Sequence, residues 1–293
     1  MPINKAMDII PEIPEYCDEP LGDAPEIPTL LVSRLARKHV KVVLSGDGGD
    51  EFFAGYSRYL DVLTLRKLIK YCPQVFKNLG ISTINLLPKF ILKLLGSKQA
   101  FKLQMLSRAL AHNSVEQIYN SLFDFWPGIF KSNENIELNF GLSDLAYMQY
   151  HDSIRYLPDD ILTKVDRCSM HVSLEARVPL LDHRLVSLSW RIPDNLKLRK
   201  NCSKWLLKQI LYKYIPRKLI DRPKQGFGVP IDIWLRGPLK EWAMSLLVDI
   251  KQDGIINYNI INKYMQEHLR GHANWQYSLW GALMWQHWKN YYF

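Results

Sequence analysis

The spacing of apolar residues changes several times along the chain, and each change marks an element. Residues 27–39 place Leu30, Leu31 and Leu35 on one helical face with Pro28 in the first turn, which predicts an amphipathic helix. Residues 40–44, Val-Lys-Val-Val-Leu, are short, β-branched and nearly continuous, and predict a fully buried strand. From about residue 61 to 149 the period is helical, with loop signals at Pro73, Gly80, Gly96-Ser97, Trp126-Pro127-Gly128 and Lys131-Ser132-Asn133. Pro158 followed by Asp159 and Asp160 predicts a helix start, and Asp160 and Lys164 stand at the i,i+4 spacing of an ion pair. Leu279, Leu283 and Met284 recur at helical spacing among Trp275, Trp280, Trp285 and Trp288, which predicts a C-terminal helix docked on a core. One segment alone reads as a buried parallel strand. The fold class expected is α/β, predominantly helical, with a partial sheet.

The predicted strand runs into Ser45-Gly46-Asp47-Gly48-Gly49-Asp50-Glu51. A loop at the carboxyl end of a parallel strand is where open α/β sheets bind ligands. Gly46, Gly48 and Gly49 allow a sharp turn that aims N–H groups at an anion, and Ser45 adds a hydroxyl. Carboxylates at 47, 50 and 51 would repel phosphate on their own. A bound Mg²⁺ removes the conflict, because hard cations bridge carboxylate and phosphate oxygens. The plainer reading is a strand-to-helix turn with acids in the first helical turn.

Two further clusters carry chemistry. Lys164, Arg167 and His171 share a helical face, either as an anion site or as a solvated stripe, and Glu175, Arg177 and Asp182 follow in an extended stretch. The latter three read equally as an internal salt-bridge network or as substrate contacts. Residues 221–230 hold two prolines, two glycines and the cations Arg222 and Lys224, a loop able to close, with Lys224 placed to neutralise a leaving phosphate or pyrophosphate.

Charge adds a separate feature. Of the net +9, residues 61–110 supply +8: nine Lys and Arg against Asp61 alone. The most apolar part, residues 79–95, is interrupted by Pro88, Lys89 and Lys93, so no transmembrane helix is expected. A basic amphipathic surface that touches a membrane, nucleic acid or anionic polymer is one reading, and a solvated basic face over an ordinary helical core is the favoured one. The C-terminal tryptophans lack the interleaved Arg and Lys of a base-stacking platform, so no nucleic-acid partner is expected. Four scattered cysteines and a Pro-rich, acidic N-terminus without an apolar core predict a cytoplasmic location.

In this order the clusters resemble the synthetase half of the glutamine-dependent asparagine synthetase family, whose fold β-lactam synthetase shares. The matching pieces are Asp18-Glu19-Pro20 through Ile27-Pro28-Thr29, then residues 45–56, 174–184 and 222–228. The resemblance implies a partial adenine-nucleotide α-hydrolase-like (PP-loop ATP pyrophosphatase) sheet within residues 1–60. It also implies a helical part over 61–293, with catalytic segments 156–184 and 221–230. It implies ATP and Mg²⁺ as cofactors, and aspartate or a related carboxylate as acceptor. It implies ammonia delivered by a glutaminase domain absent from this chain, and it allows a homodimer. By position, Ser45, Gly46, Gly48, Gly49 and Arg167 would meet the nucleotide, Asp50 would bind Mg²⁺, and Asp47, Glu175, Arg177 and Lys224 would act in catalysis. Several relatives have Glu at the position of Asp47, which has the shorter reach.

Two departures accompany the match. The S-G-G-x-D-S phosphate loop that the resemblance calls for appears nowhere in the sequence, and position 2 is Pro rather than the cysteine nucleophile of a glutaminase. The expectation is an N-terminally truncated synthetase domain, inactive alone. Rival expectations are amidation of a sugar acid in surface polysaccharide synthesis, and a non-catalytic helical module that binds anions through residues 61–110.

Overall fold

The computed structural model describes residues 7–86, 103, 106–123, 141–221 and 228–293. Over these residues the chain is mostly helical with one two-stranded parallel sheet, an α/β composition in keeping with the sequence pattern. The loop signals at Gly96, Trp126 and Lys131 lie outside the described residues. The chain divides into two units.

One unit draws on residues 28–67 and 136–228. The helix predicted over 27–39 forms as Glu26–Arg37, with Arg34 and Arg37 in the last turn, where cations complement the exposed carbonyls. A short turn closed by Val40 N–H to the Ala36 carbonyl (2.9 Å) leads into β1 (Val42–Leu44). Strand β2 (Glu175–Arg177) lies parallel to it, with Val42 opposite Glu175 and Leu44 opposite Arg177. The strand expected to be buried on both faces is not: Leu44 is 75% exposed, and Val42 is open as well. Among the described residues the sheet has no third strand, so the run of valines has nothing to bury against on that side.

Pro158 does not start a helix. Ser143 caps the helix Asp144–His151 by accepting the Ala146 N–H at 3.1 Å, and the chain continues helically to Met170. Proline has no N–H to donate and its ring crowds the preceding turn. The stretch Asp152–Leu162 adapts by widening to π-helical turns around Pro158, and the Thr163 hydroxyl donates to the Pro158 carbonyl at 2.9 Å. The expected Asp160–Lys164 pair is present at 3.1 Å. Phe52, Phe53 and Leu157 form the buried centre of this unit, with Leu181, Leu185 and Leu207 packed on them.

The other unit contains residues 1–27, 68–135 and 229–293. Its C-terminal helix, Gln276–Tyr292, buries Leu279, Trp280, Leu283 and Met284, as the spacing predicts. It also holds the N-terminal stretch. Trp288 Nε1 donates to the Cys17 carbonyl at 3.0 Å, and the Tyr292 hydroxyl donates to the Pro14 carbonyl at 3.1 Å. His268 is buried between the Asp232 carbonyl (3.3 Å) and the Trp275 N–H (3.2 Å), and burial, together with Arg236 nearby, pushes its pKa down to about 4.

The glycines after β1 differ in what they do. Gly48 has φ of 79°, and a Cβ there would lie 2.5 Å from Leu181 Cδ2, whereas a Cβ on Gly46 would meet nothing within 4 Å. Gly48→Ala is expected to lower unfolding stability by about 1–2 kcal/mol. Gly46→Ala should leave it within about 0.5 kcal/mol of wild type. Urea titration of the two variants checks this; equal losses would contradict it.

Candidate active site

The pairing of β1 with β2 builds the site. Ser45 N–H donates to the Arg177 carbonyl at 2.8 Å, and Glu175 N–H donates to the Lys41 carbonyl at 2.9 Å. The glycine-rich loop therefore leaves the sheet directly beside Glu175 and Arg177, residues that lie some 130 positions away in sequence. Within the loop the Ser45 hydroxyl donates to the Asp47 carboxylate, and Asp47 N–H points back at Ser45 Oγ (3.4 Å). Left-handed Gly48 then turns the chain into the short helix Gly49–Phe52.

Asp50 is partly exposed and pairs with Lys204 at 3.1 Å. Sequence reading missed Lys204, because nothing in the Ser203-Lys204-Trp205 stretch signals a site. Lys204 itself adopts the left-handed conformation (φ 52°) just before the helix Trp205–Leu211. Gly55 makes the approach feasible: a side chain there would overlap both Asp50 and Lys204.

Behind the loop stands a buried polar scaffold, also invisible in local sequence. Gln149 Nε2 donates to the Glu51 carbonyl at 2.5 Å, and buried Lys197 donates to Gln149 Oε1 at 3.1 Å. Burial lowers the Lys197 pKa. The Glu51 side chain is buried and accepts from the Tyr56 hydroxyl. Arg58 lies 3.7 Å from the Tyr56 ring centroid and 4.8 Å from that of Tyr156, and it donates to Asp152 at 2.7 Å. Tyr59 donates to the same carboxylate at 2.5 Å. Buried charges and polar groups held this way fix the loop's base, since removing one partner strands another without water.

The remaining candidates separate. Glu175 and Arg177 pair with each other across one strand face at 2.7 Å, both exposed. Asp182 joins neither: it caps the helix His183–Arg191 through the Arg184 N–H (2.9 Å) and holds the Arg184 guanidinium with both oxygens, which depresses its pKa. Its place is structural. Arg167 pairs with neighbouring Asp166 at 2.6 Å, and Lys164 is buried against Asp160, so the two do not form an open cationic stripe. Lys224 lies outside the described residues.

A family model described as asparagine synthase matches residues 2–290. The chain belongs to the asparagine synthase family. It is 32% identical over 285 residues to a Mycobacterium tuberculosis (strain ATCC 25618 / H37Rv) protein named "Putative asparagine synthetase (glutamine-hydrolyzing)", covering 95% of this chain and 44% of that protein. It is 29% identical over 298 residues to asparagine synthetase (glutamine-hydrolyzing) 1 of Bacillus subtilis (strain 168), covering 97% of this chain and 46% of that protein. The chain thus spans about half the length of the curated relatives it matches. Membership makes it part of an ATP-dependent amide ligase family. No described helix is long and apolar enough to cross a membrane.

Glu51 offers a pH test of the scaffold. Burial raises its pKa above the ordinary glutamate value, outweighing the Tyr56 hydrogen bond that lowers it. The folded state then holds the proton more tightly than the unfolded one, so Glu51 costs stability as pH rises from the ordinary value through the raised one. Glu51→Gln keeps an acceptor for Tyr56 without the charge. Its melting temperature relative to wild type should therefore climb as the pH is raised from the ordinary glutamate range upward. A difference that stays flat over that range would contradict the assignment.

Proposed function

We propose that this chain is the synthetase part of an amide ligase that makes asparagine from aspartate, ATP and ammonia. A carboxylate is a poor electrophile and must first be activated. A side-chain carboxylate oxygen of aspartate attacks the α-phosphorus of ATP and pyrophosphate leaves. Ammonia then attacks the acyl carbon, loses a proton, and AMP departs. The observation that carries the reading is the parallel pairing that sets the glycine-rich loop beside Glu175 and Arg177.

Each residue has a task in that scheme. The Ser45 hydroxyl and the main chain at Gly46, Gly48 and Gly49 meet phosphate oxygens, and the Arg177 and Arg167 guanidiniums offset their charge. Glu175, exposed and already poised on Arg177, accepts the proton that the ammonium-like adduct gives up. Asp47 orients the acyl group, and Lys224 neutralises departing pyrophosphate.

The donor set suits Mg²⁺. Asp50 would be its hard oxygen ligand at the loop, where the carboxylate pairs with the ammonium of Lys204. Mg²⁺ commonly takes one or two carboxylates and completes its shell with phosphate oxygens and water. Such an ion would neutralise charge that develops on the phosphates. The partial sheet, assigned here to a PP-loop-type fold, supplies one phosphate loop of a pair.

The sequence carries that one loop and no S-G-G-x-D-S partner. The 293-residue chain supplied with ATP, Mg²⁺, aspartate and ammonia is therefore expected to release no pyrophosphate above background. Fused behind the upstream half of a full-length relative, it should do so, and Asp50→Asn or Lys224→Ala in the fusion should cost about 100-fold or more. Turnover by the unfused chain would overturn the incomplete-site reading. A folded fusion that binds ATP yet turns over neither aspartate nor a panel of sugar acids would overturn the ligase reading.

A further inference from the structure

The helix Gln74–Leu86 is inverted relative to an ordinary surface helix. At about 100° per residue, Val75, Phe76, Leu79 and Leu86 fall within one arc of about 100°. They are between 60% and 79% exposed. The opposite side carries Lys77, which is buried and donates to Asn113 Oδ1 at 2.7 Å. On the flank, a Cβ on Gly80 would lie 3.6 Å from Leu110. The helix is thus fastened by a polar contact and offers its apolar face to solvent. Leu68 and Tyr71, at the end of the preceding helix, are exposed too, as is Lys70 between them. The favoured sequence reading, a basic face over an ordinary helical core, does not describe this helix.

Charge selects the occupant. Residues 61–110 carry nine Lys and Arg against one acid. Of these, Lys67 and Lys70 are exposed near the end of the preceding helix, Ser57–Tyr71, and a second copy would set them against their own counterparts, at a Coulombic cost. An anionic polymer would give Phe76 and Leu79 nothing to bury in. An anionic bilayer satisfies both features, since apolar side chains sink to the acyl boundary while lysines reach lipid phosphates. Thirteen residues are too few to span, so the helix lies in the interface plane.

We propose that the helix Gln74–Leu86 docks this protein on an anionic membrane surface, with Val75, Phe76, Leu79 and Leu86 inserted at the headgroup boundary. The proposal does not rest on the ligase reading. The full chain should float with vesicles of mixed phosphatidylcholine and phosphatidylglycerol, bind phosphatidylcholine alone poorly, and lose binding between about 0.05 M and about 0.5 M salt. The double variant Phe76→Ser with Leu79→Ser should weaken binding by about tenfold or more. Its melting temperature should hold, because both side chains are already in water. Lys70→Glu should weaken binding to the anionic vesicles alone. No flotation of the wild type, or equal flotation of the double variant, would overturn the proposal. A concentration-dependent dimer in sedimentation velocity that the double variant abolishes, with vesicle binding unchanged, would assign the face to a second copy instead.

Discussion

The candidate site depends on three residue pairs. Parallel registration of Val42–Leu44 with Glu175–Arg177 joins parts of the chain that share no local sequence relation, and it sets where the glycine-rich loop leaves the sheet. Short parallel pairing contributes little by itself. Its persistence rests on what lies beneath: Phe52, Phe53 and Leu157 fill the space under the loop. The Gln149 amide ties the turn to the long helix, through the Glu51 carbonyl, that delivers β2. If the register slipped by one residue, every side chain of β1 would change faces, and Ser45 would no longer meet Arg177.

That arrangement also explains the balance of charge at the loop. Asp47 is engaged by Ser45, Asp50 by Lys204 and Glu175 by Arg177, so each acid that could repel a phosphate has a partner. The pairs on the surface are weak, because water screens them. A ligand of the right charge can therefore exchange with them at small cost. The buried pairs behave differently. Asp152, paired with half-buried Arg58, is itself buried, as are Lys197 and Gln149, and these contacts fix geometry. The site thus has a rigid base and an exchangeable rim, the combination expected of a place where anions and cations bind and leave.

Much of this was legible in the residues, for physical reasons. The β-branched run before three glycines specified a strand and a tight turn, and Gly48 does adopt the left-handed conformation that only such a residue takes freely. The i,i+4 pair of Asp160 and Lys164 followed from helical spacing. What failed depends on neighbours far away in sequence. Burial of β1 was inferred from composition, yet composition cannot say how many strands lie beside it. Pro158 signalled a start, but tertiary packing carries the helix through it by widening the turns. Lys204, Gln149 and Lys197 left no local trace, since each matters only because the fold brings it to the loop. For Asp182, which read equally as an ion-pair partner or a substrate contact, the fold decides: it caps a helix and pairs with Arg184.

The most direct measurement of the central claim is amide hydrogen exchange, residue by residue, across the sheet. Ser45 N–H and Glu175 N–H donate at the two ends of the β1–β2 pairing, to the Arg177 and Lys41 carbonyls. Both should exchange slowly and with the same opening free energy, because they break in one event. Exchange of Ser45 at the rate of an unstructured loop, while Glu175 or the flanking helices stay protected, would contradict the account.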